Sequence, residues 1–332
     1  MKVIVITSIA TDKHPVLNEI ANECLIRNIP FLVIGDRKSP SLFNLKGCEF
    51  YSLERQRSLS FQLAQITPER HYSRKNLGYL IAMQQGASEI QETDDDNIPF
   101  SEFWETSSSS VNGLAIQNRG WFNVYSHFSN KNIWPRGFPL EFLKMNSSIE
   151  GITSQYDCPI HQGLANENPD VDAVFRLVAS LPIDFENRSP LVLLKNTWCP
   201  FNSQNTRWYR KAFPLLYLPS YCSFRMTDIW RSFVAQRISW ECNWGIYFHN
   251  ATVRQERNEH NLLKDFEDEI PGYLNNAKIA RALEGLTLHA GEDFIYDNLL
   301  ICYKQLVELG VVDHKELLLV DTWIRDCKDV LK

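Results

Sequence analysis

Three consecutive aspartates, Asp94, Asp95 and Asp96, occupy the sequence ETDDDN directly after a short run with strand character, Ser88 to Gln91. Adjacent carboxylates repel one another and raise each other's pKa, so a folded protein normally places such a cluster beside a cation or in open solvent. Mn²⁺ and Mg²⁺ prefer oxygen ligands, which makes Asp94 and Asp96 candidate ligands of a divalent metal ion. A solvated acidic loop is the alternative interpretation.

The helix predicted before the aspartates begins with basic residues. Arg74 and Lys75 occupy its first turn, where the helix dipole disfavours a cation by about 0.3–1 kcal/mol. An anionic ligand would reverse this cost. With Asn76 and free backbone N–H groups, the two cations are predicted to clamp a diphosphate, which a metal ion on the aspartates would neutralise from the other side. Solvated surface residues are again the alternative.

The first hundred residues alternate between strand and helix. Val3 to Ile6 and Phe31 to Ile34 are continuous apolar runs suited to strands that are buried on both faces. Pro15 to Arg27 lies between them and has apolar residues at helical spacing. This order predicts one βαβ unit.

A second helix and strand follow. The pattern predicts a helix from Asn76 to Gln85, with Ser73 as its N-cap and Gly86 as its stop, and then the strand that leads to the aspartates. Ligands of open parallel sheets bind at the carboxyl ends of the strands. One wall of a ligand crevice is therefore expected from the residues at those ends, namely Thr7, Ser8, Asp36 and Asp94 to Asp96.

Composition limits the classes of function. The 332 residues are 44% hydrophobic, and 34 basic against 40 acidic residues give a net charge of −6, which indicates no nucleic-acid partner. The 8 cysteines include no CxxC pair, which favours reduced thiols and a cytoplasmic setting. No apolar run reaches the roughly 20 residues of a membrane span, so membrane association is expected to be peripheral, at the inner face.

A further helix is predicted to begin near Thr227, its expected N-cap, with Asp228 in the first turn. An acid in a first turn is favoured for structural reasons alone. The functional alternative is a general base that faces the crevice and takes a proton from an incoming hydroxyl. Arg237 and Trp240 are expected to line the same region.

Two segments in the middle of the chain carry further candidates. Asn132 to Pro139 combines two prolines, a glycine and two aromatics around Arg136, a composition that builds a rigid turn and aims one guanidinium. Asp170 and Asp172 form a second DxD spacing after Pro169. A prolyl turn with a capping aspartate explains that spacing better than a second metal site.

In this order, the motifs resemble those of GT-A glycosyltransferases. ETDDDN, the stretch IWPRGFP from Ile133 to Pro139 and NPDVDAVFRL from Asn168 to Leu177 resemble the STELLO proteins and, more distantly, the reversibly glycosylated polypeptides that act as UDP-arabinopyranose mutases. The similarity covers about residues 1 to 265. It implies an α/β, GT-A-like (Rossmann-like) domain over residues 1–260, with a mixed, mostly parallel sheet flanked by helices. Helical periodicity predicts a separate helical region over residues 261–332.

The resemblance also implies roles for the residues of the donor site. Asp94 and Asp96 would approach a metal ion bound to the donor diphosphate, Asp95 would contact the sugar or ribose, and Asp36 would face the nucleoside. His249, late in the domain, would complete the metal shell, and His260 is a second candidate. The plant STELLO proteins carry an N-terminal membrane anchor. The apolar run from Met1 to Ile6 is too short for such an anchor, so a soluble relative of their catalytic domain is expected.

The mutase resemblance concerns a different set of residues. Arg136 matches the arginine that becomes glycosylated in those proteins, and Asp170 and Asp172 match aspartates of their second acidic motif. The mutases have another arginine seven positions after the first, where this sequence has Leu143. That departure argues against mutase chemistry and self-glycosylation.

The last seventy residues have helical periodicity, with Pro271 and Gly310 as expected breaks. We interpret them as a helical appendage that serves homo-oligomerisation or partner docking.

The leading hypothesis is a metal-dependent glycosyltransferase of polysaccharide biosynthesis. It would move a sugar from a nucleoside diphosphate sugar, expected to be UDP-linked, to a glycan, a lipid-linked glycan or another hydroxyl acceptor. Asp228 would be the base of an inverting reaction. The alternatives are a nucleotide-sugar mutase that uses Arg136, a non-catalytic scaffold that keeps the fold and, more remotely, a nucleotidyltransferase.

Overall fold

A computed structural model of the chain describes residues 1–145, 153–256 and 261–332. The strands of this part of the chain are β1 (Lys2–Thr7), β2 (Phe31–Ile34), β3 (Glu49–Tyr51), β4 (Glu89–Thr93), β5 (Asn97–Pro99), β6 (Ser110–Ile116), β7 (Gly120–Trp121), β8 (Thr153–Asp157), β9 (Ile160–Asn166), β10 (Leu191–Leu193), β11 (Thr197–Trp198), β12 (Asn205–Tyr209) and β13 (Ile246–Gln255). The α-helices are α1 (Pro15–Arg27), α2 (Leu53–Arg57), α3 (Gln62–Ile66), α4 (Lys75–Gln84), α5 (Val124–His127), α6 (Ala173–Val178), α7 (Thr227–Glu241), α8 (Leu262–Glu284), α9 (Ile295–Glu308) and α10 (Glu316–Val330).

Eleven of the described strands form one mixed sheet in the order β3-β2-β1-β4-β12-β9-β13-β10-β6-β8, with β5 paired to β13. The half made of β3, β2, β1 and β4 is wholly parallel. Strand β12 then joins it in antiparallel orientation. Helices flank this sheet, so the predicted α/β, GT-A-like fold class is confirmed.

Strand β1 is buried on both faces because its residues alternate between two helices. Ile4 and Ile6 share a hydrophobic cluster with α1, whereas Val3 and Val5 share the larger cluster with α4. The continuous apolar run is the pattern expected of such a strand. Its carboxyl end, Thr7, therefore emerges from the core at the same edge as the ends of β2 and β4.

Local signals give the right elements but not always their ends. The bounds of α1 and β2 agree with the prediction, and Gly86 follows α4 with a φ of +81°. Ser73, however, is not an N-cap, because it lies in a 3₁₀ turn and its backbone N–H donates to His71 Nδ1 at 3.0 Å. Thr227 likewise follows a 3₁₀ turn and is itself helical, at φ −51°.

The C-terminal helices are joined to the rest of the protein by buried polar contacts as well as by the core. Asp326 on α10 accepts hydrogen bonds from the N–H groups of Gln62 and Leu63 at the start of α3. Glu316 accepts from the N–H groups of Ser220 and Tyr221. The predicted helical region is present.

One of the two predicted helix breaks is wrong. Pro271 lies inside α8 and does not end it. Its missing N–H removes only one hydrogen bond, and the buried neighbours Glu269 and Gly272 keep that turn packed against the core. Gly310 does follow α9, with a φ of +70°.

Among the described residues, no helix has the length and apolar character needed to cross a membrane.

Candidate active site

Two adjacent cavities open at the carboxyl ends of the parallel strands. The first, of about 320 Å³, is the acidic cavity, and its carboxylates are Asp94, Asp95, Asp96, Asp170 and Asp228. The second, of about 600 Å³, is the basic cavity, and its cationic side chains are Arg37, Lys38, Arg70 and Arg74. Four residues line both cavities: Thr7, Tyr72, Asp95 and Phe224. A single extended ligand could therefore occupy both.

The three aspartates form a tight turn between β4 and β5. The turn is held by Asn97, whose side-chain amide donates to Thr93 Oγ1 at 3.2 Å and to the carbonyl oxygen of Gln204 at 3.0 Å. The Ser8 hydroxyl, which follows β1, donates to Asp95 Oδ2. The structure thus brings residues from the ends of β1 and β4 together, as the parallel arrangement requires.

Asp36 belongs to the wall of the basic cavity. It follows β2, and its Oδ2 accepts from the His71 N–H at 2.9 Å while its Oδ1 accepts from the Arg37 N–H at 2.7 Å. It therefore holds the loop before α4 against the end of β2. The wall expected from Thr7, Ser8 and Asp36 is assembled.

Asp94 is already paired with a protein cation. Lys75 Nζ lies 3.1 Å from Asp94 Oδ1 and donates to the carbonyl oxygens of Thr93 at 2.9 Å and Ser203 at 3.3 Å. The lysine side chain is fully buried, whereas that of Asp94 is 39% exposed. Lys75 therefore fixes one oxygen of Asp94, and the rest of the carboxylate faces the cavity.

Asp96 has one unused oxygen. Its Oδ2 accepts from the Gln255 side chain at 3.0 Å, while its Oδ1 is buried and has no hydrogen-bond partner among the described residues. Burial, together with repulsion from Asp94, raises the pKa of Asp96 to about 7. A buried carboxylate oxygen without a partner destabilises the protein, and a cation bound to that oxygen would offset the cost.

In the same cavity, Arg136 is enclosed by two carboxylates. Its Nε and Nη2 donate to Asp170 at 2.8 and 2.9 Å, and its Nη1 and Nη2 donate to Asp228 at 3.0–3.1 Å. Nη1 also donates to the carbonyl oxygen of Arg225. Every guanidinium nitrogen is therefore engaged, and the two carboxylates raise the pKa of Arg136 against the effect of its burial.

A family model described as STELLO glycosyltransferases matches residues 225–331, which include Asp228 and all three C-terminal helices. Two Arabidopsis thaliana proteins, Probable glycosyltransferase STELLO2 and Probable glycosyltransferase STELLO1, are each 28% identical over 340 aligned positions, which cover 96% of this chain. This chain is therefore similar to the STELLO glycosyltransferases. It spans less than half of those relatives, 44% of STELLO2 and 43% of STELLO1.

Asp228 lies in the acidic cavity but differs from the exposed base that was expected. It is buried, and besides Arg136 its carboxylate accepts from the Tyr72 hydroxyl at 3.2 Å and the Ser203 N–H at 3.1 Å. Burial raises its pKa, but the charge and hydrogen bonds of Arg136 outweigh this and lower the pKa to about 2. A carboxylate with that pKa is a weak proton acceptor at neutral pH. In this arrangement Asp228 anchors Arg136.

The residues of the predicted diphosphate clamp at the start of α4 all make hydrogen bonds within the protein. Arg74 is buried, and its guanidinium donates to the Gln56 side chain at 2.7 Å and the Thr67 carbonyl oxygen at 2.9 Å. Asn76 is also buried and exchanges two hydrogen bonds with the backbone of Leu218. Lys75 points to the aspartate turn from inside the protein. Lys75 and Asn76 therefore support the site from behind, whereas Arg74 lines the basic cavity.

Four further candidates lie away from both cavities. Arg237 donates to the carbonyl oxygens of residues 283 and 286, and Trp240 packs against Trp198 with ring centroids 4.4 Å apart. His249 packs against His161 and Tyr247, and burial lowers its pKa to about 4. Asp172 caps α6, as the structural alternative predicted. His260 lies outside the described residues.

Several residues at the site were not predicted. Tyr72 and Phe224 line both cavities, and their rings meet edge to face at 4.9 Å. Arg225 lines the acidic cavity and is held by Glu269 of α8. No sequence pattern singles out these residues, because their partners are 152 and 44 positions away.

The aspartate turn fits a divalent ion only in part. Within the described residues, no three His, Cys, Asp or Glu side chains form a group that could hold a metal ion. The partly exposed carboxylate of Asp94 and the unsatisfied Oδ1 of Asp96 nevertheless supply two oxygen ligands of the type that Mg²⁺ and Mn²⁺ use. Mg²⁺ is commonly bound by one or two carboxylates together with substrate phosphates. The residues present fit that partial shell.

Proposed function

We propose that the protein is a metal-dependent glycosyltransferase that uses a nucleoside diphosphate sugar, UDP-linked, as donor. The observation that carries this proposal is the junction of the two cavities at Asp95 and Thr7. A donor with its nucleoside in the basic cavity would place its diphosphate beside the aspartate turn. The likeness to proteins named probable glycosyltransferases supports the same class of reaction.

The residues of the turn would share the work of binding. Asp94, steadied by Lys75, and Asp96, through its free Oδ1, would hold Mn²⁺ or Mg²⁺ against the diphosphate. A bound divalent ion would neutralise the charge that develops on the leaving diphosphate. Asp95, held by Ser8, would accept a hydrogen bond from a hydroxyl of the ribose or the sugar.

The acceptor would be a hydroxyl of a glycan or a lipid-linked glycan in polysaccharide biosynthesis, and transfer would invert the anomeric centre. Inversion by single displacement calls for a general base. For Asp228 to take that role, one of its oxygens must first lose a hydrogen bond to Arg136, because the paired carboxylate has a pKa of about 2. Tyr72 also donates a hydrogen bond to Asp228 and lines the acidic cavity. An acceptor hydroxyl that took the place of the Tyr72 hydroxyl would reach the carboxylate.

A mutase is disfavoured by the state of Arg136. Its guanidinium nitrogens all donate to Asp170, Asp228 or the Arg225 carbonyl, so none is available as a nucleophile. The change to Leu143 argues in the same direction. A mutase would contract or expand the sugar ring of the donor without any acceptor, and an assay of the donor alone would reveal that activity.

The proposal is tested by ligand binding and then by product analysis. Calorimetry and thermal-shift measurements with uridine, UMP, UDP and UDP-sugars, each with Mn²⁺ and with EDTA, should show UDP binding that depends on the metal. Equal affinity in EDTA and in Mn²⁺, or no binding, would contradict it. Release of UDP during turnover would identify a glycosyltransferase, whereas release of pyrophosphate would identify a nucleotidyltransferase. No turnover with intact UDP binding would favour a scaffold.

A further inference from the structure

The acidic cavity contains a second arginine whose situation differs from that of Arg136. Arg225 Nε and Nη2 both donate to Glu269 Oε1, at 3.0 and 2.7 Å. No described residue accepts a hydrogen bond from its Nη1, and the side chain is 16% exposed. Because Arg136 is fully engaged, Arg225 is the cation lining this cavity, within the described part of the chain, that keeps donor capacity for a ligand.

Glu269 holds Arg225 in a defined position. The glutamate lies on α8 and is fully buried. Besides the two bonds from Arg225, its Oε2 accepts from the Ala173 N–H at 2.7 Å and from the Tyr273 hydroxyl at 2.6 Å. The N–H of Ala173 in α6 and the hydroxyl of Tyr273 in α8 fix this carboxylate, which leaves its arginine partner little freedom. Arg225 is therefore preorganised, and a ligand would not have to immobilise it.

The position of Arg225 indicates which part of a ligand it would meet. The preceding residue, Phe224, lines both cavities, whereas Arg225 lines the acidic one. A nucleotide that crosses from the basic cavity to the aspartate turn passes this point with its phosphates. The carboxylates around the cavity make it unfavourable for an anion unless a free cation is present.

We infer that Arg225 binds the diphosphate of the donor and that Glu269 of the C-terminal helical region is the positioning residue for it. This inference rests on the proposed function. Glu269 lies beyond residue 260, the predicted end of the GT-A-like domain, so the C-terminal helical region would help to build the donor site. Guanidinium groups suit this task, since they give charge-assisted, directional hydrogen bonds to phosphate oxygens.

The test compares three ligands on matched variants. Dissociation constants of uridine, UMP and UDP are measured by calorimetry in Mn²⁺ for the parent, Arg225→Met, Arg225→Lys and Glu269→Gln. Arg188→Met is the control, because Arg188 is also paired with a glutamate, through a 2.6 Å contact to Glu186, and lines neither cavity. Circular dichroism checks that each variant is folded.

Loss of a charge-assisted hydrogen bond to phosphate should weaken UDP binding by at least about tenfold in Arg225→Met. Arg225→Lys should restore part of that loss, since it keeps the charge without the second nitrogen. Glu269→Gln should give an intermediate loss. Uridine affinity should not change in any variant, and Arg188→Met should bind all three ligands as the parent does.

Equal UDP affinity in the parent and Arg225→Met would overturn the inference. An equal loss of uridine and UDP affinity would overturn it too, since Arg225 would then shape the basic cavity. If Arg225→Met fails to fold, Arg225→Lys and Glu269→Gln decide the same question, because unchanged UDP affinity in both rejects it. A parent protein that binds no UDP in Mn²⁺ would refute the proposed function instead.

Discussion

Replacing Asp228 with asparagine should reduce stability by an amount that depends on pH. The change keeps the volume of the side chain but removes the charge that pairs with Arg136 at 3.0 Å. The pKa of Asp228 is held at about 2, against an ordinary value of 3.8. At about 1.4 kcal/mol per pKa unit, ionised Asp228 contributes roughly 2 kcal/mol to the free energy of unfolding at pH 7.

The sign of the pH dependence follows from the lowered pKa. A carboxyl whose pKa is lower in the folded than in the unfolded protein stabilises the fold above the unfolded pKa. That contribution is lost as the pH falls from about 4 to about 2. Asp228→Asn should therefore be less stable than the parent by about 2 kcal/mol at pH 7, and the difference should shrink towards zero near pH 2.

The assay is urea unfolding followed by circular dichroism at pH 7, 5 and 3. Asp321→Asn is the matched control, because Asp321 forms an exposed ion pair with Arg325 on the surface of α10. Exposed pairs typically contribute about 0.2–1 kcal/mol, so this control should change little. A loss in Asp228→Asn that is the same at all three pH values, or no loss at pH 7, would refute the ionised Asp228–Arg136 pair.

Three other predictions concern the aspartate turn and Arg136. Asp96→Asn should bind UDP with the same affinity in EDTA and in Mn²⁺, since the unsatisfied Oδ1 that would meet the ion loses its charge; a metal effect that survives the change in calorimetry would contradict this. Lys75→Met should lower the free energy of unfolding by about 1–2 kcal/mol, because the carbonyl oxygens of Thr93 and Ser203 lose a buried donor while the 39% exposed Asp94 is partly solvated, and urea unfolding measures this loss. Incubation with UDP-sugars should give no stable adduct on Arg136, as all its nitrogens are engaged, and an intact-mass increase of one hexose or pentose would show otherwise.

Short-range patterns account for the parts of the fold that were predicted well. Helix α1 and strand β2 were correct to the residue, because apolar spacing, Pro15 at the helix start and β-branched runs act within one element. The caps at Ser73 and Thr227 were wrong for a related reason. Serine and threonine are both favoured as N-caps, but Ser73 lies inside a 3₁₀ turn and Thr227 directly follows one, and no local signal marks these turns.

In the candidate site, too, only the features set by short-range patterns were predicted. The aspartate turn could be placed at the cavity because a parallel strand puts the residues after it at one edge of the sheet. The hydrogen-bond partners of these aspartates could not be predicted from the sequence. Lys75 meets the carbonyl of Ser203, which is 128 positions away, and this contact turns the lysine inward. The first turn of α4 is buried, so its basic side chains pair with protein groups and not with a ligand from solvent, as the helix dipole alone would favour.

The C-terminal helices show why a boundary drawn from sequence does not delimit a site. Glu269 lies in the region that periodicity separates as an appendage, yet its carboxylate binds Arg225, and the Arg225 carbonyl accepts from Arg136. Arg136 in turn holds Asp170 and Asp228 in the acidic cavity, which the aspartate turn also lines. This chain of charged contacts links α8 to the centre of the acidic cavity. Changes in α8 that disturb Glu269 should therefore alter ligand binding even though the helix lines neither cavity.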